Sequence, residues 1–504
     1  MANTQALYAE LVGKLQEVQT LESTSALLSW DQETYMPPRG VELRARQLSM
    51  LATMGHEAFT APRIGELLGE LAASDLVREP YGDVAAVVRE TRRLYDRARK
   101  LPAELVKEMA ATAVMAQQAW TDARGKADYA IFQPWLEKTL TLKRREAECV
   151  GYKGHIYNAL LDPFEPDETA ENLRGVFAEL RGPLVELVGR IVSSGRRAPI
   201  EILHRRYPAD AQNAFAREAA KQIGFDFQAG RLDISVHPFN SGIGPGDCRM
   251  TTRYDENYFG DAFFGVLHES GHGLYEQGLP AEHWGTPLGQ AISLGIHESQ
   301  SRMWENLVGR SRPFWKFFFP RLQSAFPQAT AGVSPEQWLW AVNHVQPSLI
   351  RTESDEVTYN LHIMLRFDIE QNLLTGSLSV KDVPAVWNRM TQDYLGITPP
   401  NDAQGCLQDI HWSHGALAYF PTYTLGNLYA AQFYEQAKSD ISGLEDAFAT
   451  GDFKPLLGWL REKIHRHGKR YSAGELVRRV TGRPLEAKPL LDHLMRKTKE
   501  AYGV

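Results

Sequence analysis

Residues 261–278, DAFFGVLHESGHGLYEQG, constrain this chain most, because His268, Glu269 and His272 stand there in an H-E-x-x-H spacing. On a helix, positions i and i+4 share one face a single turn apart, so both imidazoles can reach one metal ion. Glu269 projects about 100° further round, close enough to hold water beside that ion without displacing it. The setting reads as helical: Phe263, Leu267 and Leu274 recur at near-helical spacing, Asp261 can cap the start, and Gly278 with Pro280 ends it. Gly271 and Gly273 each cost about 1 kcal/mol against alanine inside a helix, which calls for a local reason such as close backbone approach.

Two histidines leave a zinc ion short of ligands, since a catalytic site uses three protein donors and keeps one position open. Thr286-Pro287 reads as a helix start, with the helix running to about Gly309 and carrying His297-Glu298-Ser299-Gln300. Glu298 lies 26 residues beyond His272, room for a turn and an antiparallel return, and is the expected third ligand. His297 is its rival, but consecutive helical residues point about 100° apart, so only one of the pair faces the metal.

The rest of the chain is predominantly helical. Leu7, Leu11, Leu15 and Val18 form a stripe, and further helical segments read around 42–56, 82–99, 103–124, 129–150 and 170–194. Between 230 and 255 the pattern alternates. Leu232, Ile234 and Val236, then residues 249–254, predict a small antiparallel pair joined by the loop NSGIGPGD, just ahead of the metal helix. An exposed edge strand beside a cleft can hold an extended peptide through main-chain hydrogen bonds. After 285 the chain returns to helices. No fixed repeat or low-complexity linker interrupts its 504 residues, which read as one continuous architecture. A net charge of −7 without any long Lys/Arg run argues against nucleic acid and anionic membrane as partners. Three scattered cysteines, Cys149, Cys248 and Cys406, suit a reducing compartment. The first twenty residues are amphipathic and carry no leader or spanning pattern, so a soluble cytoplasmic protein is expected.

Several blocks together resemble one family, the metallocarboxypeptidases typified by carboxypeptidase Taq, within the glutamate-zincin metallopeptidases. They are residues 237–239 (HPF), 247–251 (DCRMT), 268–272 (HESGH), 297–300 (HESQ), 350–356 (IRTESDE) and 405–412 (GCLQDIHW), with the early block LLSWDQETYMP. Ser354 departs from the family pattern, which has alanine there. The resemblance implies a mainly α, helical zincin-type fold with a deep cleft and a small antiparallel sheet beside the metal helix. It implies a single catalytic unit over 1–504, with 1–200 forming part of the cleft wall and 201–504 binding metal and substrate. It further implies release of C-terminal amino acids from peptides with broad specificity, one Zn²⁺ or Co²⁺ per chain, and a homodimer.

The chemistry fits that expectation. A bound Zn²⁺ lowers the pKa of its water to about 7 and polarises a carbonyl. Glu269 would take the water's proton and pass it to the leaving amine. By resemblance to related helical zincins, His411 and Tyr423 are candidates to hold the oxyanion, with Tyr419 as the alternative phenol. A free α-carboxylate calls for a fixed cation, preferably the planar fork of arginine. Arg351 is the first choice and Arg249 the second, each with a structural ion pair as its competing reading. Internal cleavage by the same metal site (an oligopeptidase) is the alternative activity, and a helical binding protein with an inert metal site is the alternative of another class.

Overall fold

The computed structural model describes residues 2–504, with side chains from Thr4, and 68 % of it is helical. Its contacts divide it into two units, each assembled from three stretches of chain. The first holds the residues up to Ala98 with Pro199–Val342 and Tyr429–Pro484. The second holds Arg99–Ala198, Asn343–Leu428 and Leu485–Val504. Both units therefore draw on residues before and after position 200. Among the described residues, no helix is long and apolar enough to cross a membrane.

In the first unit the apolar stripe of helix Ala2–Thr34 does what its spacing predicts. Leu11 and Leu15 pack on Ile64, Leu67, Leu68 and Leu71 of Pro62–Ala72, and on Val87 and Tyr95 of Asp83–Lys100. A second, aromatic core lies behind the H-E-x-x-H helix, Gly260–Glu276. Phe263 meets Phe259 and Phe215 with ring centroids 5.0 and 5.2 Å apart, and Trp315 at 5.5 Å. Such offset and edge contacts, added to the area they bury, make that face of the helix a rigid support.

The sheet beside this helix sits where the sequence places it, but it is three-stranded and mixed rather than an antiparallel pair. Strand β1 (Gly230–Ile234) runs parallel to β3 (Asp247–Thr252), with Leu232 opposite Met250. Strand β2 (Asn240–Gly244) pairs antiparallel with β3 on its other side, and the register shifts between Gly242 and Gly244. NSGIG reads as a loop because it has no alternating side chains. Its backbone pairs all the same, and the glycines serve approach: a Cβ on Gly242 would collide with the Glu276 carboxylate, and one on Gly244 would lie 3.2 Å from Trp284 Nε1.

The close approach expected at Gly271 is also present. A Cβ there would sit 2.6 Å from both the carbonyl oxygen of Gln300 and the Cα of Ser301, on the neighbouring helix Leu294–Arg302. Gly273 likewise makes room for the ring of Phe225.

The second unit is built round helix Tyr359–Thr375, which is buried except along Asp368, Asn372 and Thr375 near its end. Polar groups on its buried faces must be satisfied internally. Fully buried Arg366 donates to Asp409 Oδ2 at 2.7 Å, to Gln408 at 2.8 Å and to the His362 carbonyl at 2.7 Å. Glu370 accepts from Tyr157, from Trp412 Nε1 and from the backbone N–H of Ala418. Asp409 also takes Arg351, through Nε at 3.0 Å and Nη2 at 2.8 Å. Burial alone would raise the Asp409 carboxyl, but Arg366 and Arg351 reverse that and hold it well below the usual carboxylate range.

Two stability predictions follow from this packing. Gly271→Ala should lower the thermal midpoint by several degrees, because overpacking costs about 1–3 kcal/mol. Gly175→Ala, in helix Ala170–Ser193 with nothing within 4 Å of the added methyl, should leave the midpoint unchanged or raise it. Calorimetry on the two variants checks the contrast. Asp409→Asn should cost about 3–5 kcal/mol at pH 7 by leaving two buried guanidiniums uncompensated. Because folding depresses this carboxyl, its contribution is present above the unfolded value near pH 4 and fades as pH falls toward the folded one. Denaturant unfolding at pH 7 and pH 3 should thus show wild type losing more stability on acidification than the variant.

Candidate active site

The donor atoms come from two adjacent helices of the first unit. Helix Gly260–Glu276 starts at Phe259 without a side-chain cap, and Asp261 stands in its first turn rather than capping it. The one-turn spacing brings His268 Nε2 and His272 Nε2 to 3.2 Å from each other. The second helix begins later than the Thr286-Pro287 start expected. Residues Pro287–Gly289 form only a 3₁₀ turn, Thr286 Oγ1 donates to the His283 carbonyl, and Gln290 is extended. Ser293 is the cap, its hydroxyl accepting from the N–H of Ile296, and Leu294–Arg302 follows. The run continues as a π-helical turn, Met303–Val308.

Glu298 Oε2 lies 3.6 Å from His268 Nε2 and 3.4 Å from His272 Nε2. The three donor atoms thus form a triangle with edges of 3.2, 3.4 and 3.6 Å. A tetrahedral ion with bonds of about 2.0–2.1 Å to N and O donors has ligand–ligand edges of about 3.3–3.4 Å, so the set fits a divalent ion of zinc's size. His268, His272 and Glu298 are the group of metal-competent side chains that the described residues bring together. The other oxygen of Glu298 is held by Arg302 Nε at 2.7 Å, which leaves one oxygen for the triangle.

The surroundings tie each donor from behind. His268 Nδ1 lies 2.9 Å from Glu305 Oε2, and Glu305 in turn meets Arg302 and Arg310, each at 3.3 Å. His272 Nδ1 lies 2.6 Å from His297 Nδ1, and His297 Nε2 lies 2.8 Å from Glu276 Oε1. His297, the rival to Glu298, is therefore turned onto His272 and outside the triangle, as adjacent helical positions require. Burial opposes charge throughout, and at Glu298, Glu305 and His268 the neighbours outweigh it. Glu298 is held well below the usual range by Arg302 and His268, and Glu305 is brought to about 2 by Arg302 and His268. Burial lowers His272 to about 3, with His297 adding to it, whereas for His268 the carboxylates of Glu298 and Glu305 outweigh burial and raise it.

Glu269 is buried beside this triangle, with its own carbonyl oxygen accepting from Asn240 Nδ2 at 3.2 Å. Burial pushes its carboxyl up to about 7. Gln300 lies fully buried, with Oε1 2.9 Å from His465 Nε2, and His237 is exposed. Glu305, Arg302 and Glu276 escape a motif-level reading. The visible signal is their spacing, since Glu298, Arg302 and Glu305 recur at i, i+4 and i+7, and Glu276 follows His272 by four.

Arg249 lies in the first unit, on β3. It grips Asp247 through Nε and Nη2 at 2.9 and 2.8 Å, and its guanidinium sits 4.2 Å from the centroid of Trp30. The remaining candidates gather in the second unit. Arg351 is buried, donating to Asp409 and, through Nη1, to Tyr359 at 2.8 Å. Its carboxylate partner is thus Asp409 and not the nearby Glu353, Asp355 or Glu356. Asp355 accepts from Thr358, and Glu356 pairs with His493 and Lys497. The Arg351 guanidinium lies 5.0 Å from the Tyr423 ring, and Tyr423 Oη is 3.4 Å from His411 Nε2. Burial, reinforced by Arg351 and Arg366, lowers His411 to about 4, so it is neutral at pH 7. Tyr419 stands against the same imidazole at 5.4 Å between ring centroids.

Comparison with known proteins agrees along the whole chain. The family model described as carboxypeptidase Taq (M32) metallopeptidase matches residues 10–498. The chain is 48 % identical to thermostable carboxypeptidase 1 of Thermus thermophilus over 99 % of both chains. It is 37 % identical to carboxypeptidase 1 of Bacillus subtilis over 98 % of both. Among solved structures, the M32 carboxypeptidase of Deinococcus radiodurans R1 superposes with a TM-score of 0.96 at 42 % identity, covering 99 % of this chain and 100 % of that one. A Pyrococcus furiosus carboxypeptidase gives 0.94 at 35 %, covering 97 % and 98 %. The chain belongs to the carboxypeptidase Taq (M32) family of metallopeptidases and is a peptide hydrolase, a metallocarboxypeptidase.

Proposed function

We propose that this metallocarboxypeptidase releases C-terminal residues from peptides with broad specificity, and that His268, His272 and Glu298 hold one divalent ion, Zn²⁺ or Co²⁺. The observation that carries this is the donor triangle with edges of 3.2–3.6 Å beside a buried Glu269. An ion held there supplies Lewis acidity, which polarises a carbonyl oxygen and makes water more acidic. Glu269 takes the proton of the attacking water and returns it to the departing amine nitrogen, from its buried position beside the donors. The Arg302 contact keeps Glu298 ionised and aimed.

For the oxyanion we assign His411 and Tyr423, whose contact with each other supports a shared role, with Tyr419 as the second phenol. For the substrate's terminal carboxylate we assign Arg351, because it stands in the same cluster as Tyr423 and His411. Arg249 is second; its fork is likewise held by a carboxylate, that of Asp247. The three free cysteines support residence in a reducing compartment such as the cytoplasm. A homodimer is supported by helix Val41–Phe59, where Leu43, Met50 and Met54 share one face yet are 62, 64 and 41 % exposed. Leu43→Glu with Met50→Glu should shift the sedimenting species from dimer to monomer.

Glu269→Gln should keep its metal content and lose at least about 10³-fold in kcat, as a group acting only in the transition state requires; near-normal turnover would remove Glu269 from the chemistry. Paired digestions of one peptide and its C-terminally amidated twin test the activity itself. Only the free acid should be shortened, and equal cleavage of both would favour internal bonds as the target.

A further inference from the structure

His272 presents Nε2 to the donor triangle, so the proton of that ring must sit on Nδ1. Nδ1 meets His297 Nδ1 at 2.6 Å, well inside the roughly 3.5 Å of van der Waals stacking. The two ring planes differ by 28° with centroids 4.5 Å apart, and the Nδ1 atoms are the close contact between them. One proton can occupy that contact. His272 therefore donates, His297 accepts on Nδ1, and the proton of His297 sits on Nε2. There it faces Glu276 Oε1 at 2.8 Å, and a carboxylate can only accept. The chain of groups has a single consistent direction.

Resting on the reading that His268, His272 and Glu298 hold the ion, we propose that His297 and Glu276 are positioning residues that fix the tautomer and ring orientation of His272. The other ligand imidazole reaches its carboxylate directly, His268 to Glu305 at 2.9 Å. His272 reaches its own through an intervening ring. Local structure supplies both parts: Glu276 follows His272 by one turn on the same face, and His297 adjoins Glu298 at about 100° round its helix. Gly242 completes the arrangement, because any side chain there would displace the Glu276 carboxylate.

Zinc affinity of the full chain, measured by competition with a chromophoric chelator at fixed pH, tests this. His297→Leu and Glu276→Leu should each weaken zinc binding by about 10–100-fold, the usual cost of losing such a partner. His297→Gln should stay within about threefold of wild type, since its amide can accept from His272 and donate to Glu276. Affinity unchanged in folded His297→Leu overturns the proposal, and equal losses in the Gln and Leu variants overturn it in favour of packing. Wild type should bind one zinc and His272→Ala none. If wild type binds none, the three-donor reading falls too; if it binds one and His297→Leu binds as tightly, only the positioning role falls.

Discussion

Three lone pairs pointed at one spot in a buried place are the constraint on which this structure depends. Two imidazole nitrogens and a carboxylate oxygen stand 3.2–3.6 Å apart with no proton to share among all of them. Glu298 attracts the two imidazoles, and contacts from outside the triangle fix each donor in place. Glu305 holds one ring, His297 the other, and Arg302 the far oxygen of the carboxylate. The charges also balance locally, because Glu298 and Glu305 are set against Arg302 and Arg310. Electrostatic preorganisation of this kind is what lets a site bind a cation without rebuilding itself.

The packing beneath serves that end. The two helices could not approach closely enough to converge their donors if Gly271 carried a side chain, and the aromatic cluster round Phe259 and Phe263 stiffens the opposite face. The π-helical turn Met303–Val308, which carries Glu305, directly follows the helix that carries Glu298, and such turns recur at functional sites. In the second unit the same logic operates with different groups. Asp409 binds two guanidiniums, so that Arg351 is held rigidly by a charge inside the protein.

What the sequence made legible were local features with fixed geometric consequences. One-turn spacing brought His268 and His272 together, the two mid-helix glycines marked a close approach, and an antiparallel return brought Glu298 opposite them. The features that stayed hidden depend on partners distant in sequence or on backbone pairing without side-chain pattern. Asp409 lies 58 residues from Arg351, so its claim on that arginine could not compete in a local reading with Glu353 or Asp355. NSGIG has no alternation because two of its side chains had to be absent, and the strand was therefore invisible. The start at Thr286-Pro287 obeyed a sound rule, yet the chain makes only a 3₁₀ turn there before extending, and Ser293 offers the cap seven residues later.

X-ray diffraction from zinc-loaded crystals, collected on both sides of the zinc absorption edge, tests the central claim most directly. We expect one strong anomalous peak per chain, about 2 Å from His268 Nε2, His272 Nε2 and Glu298 Oε2. A peak elsewhere, or none at full zinc loading, would contradict the account.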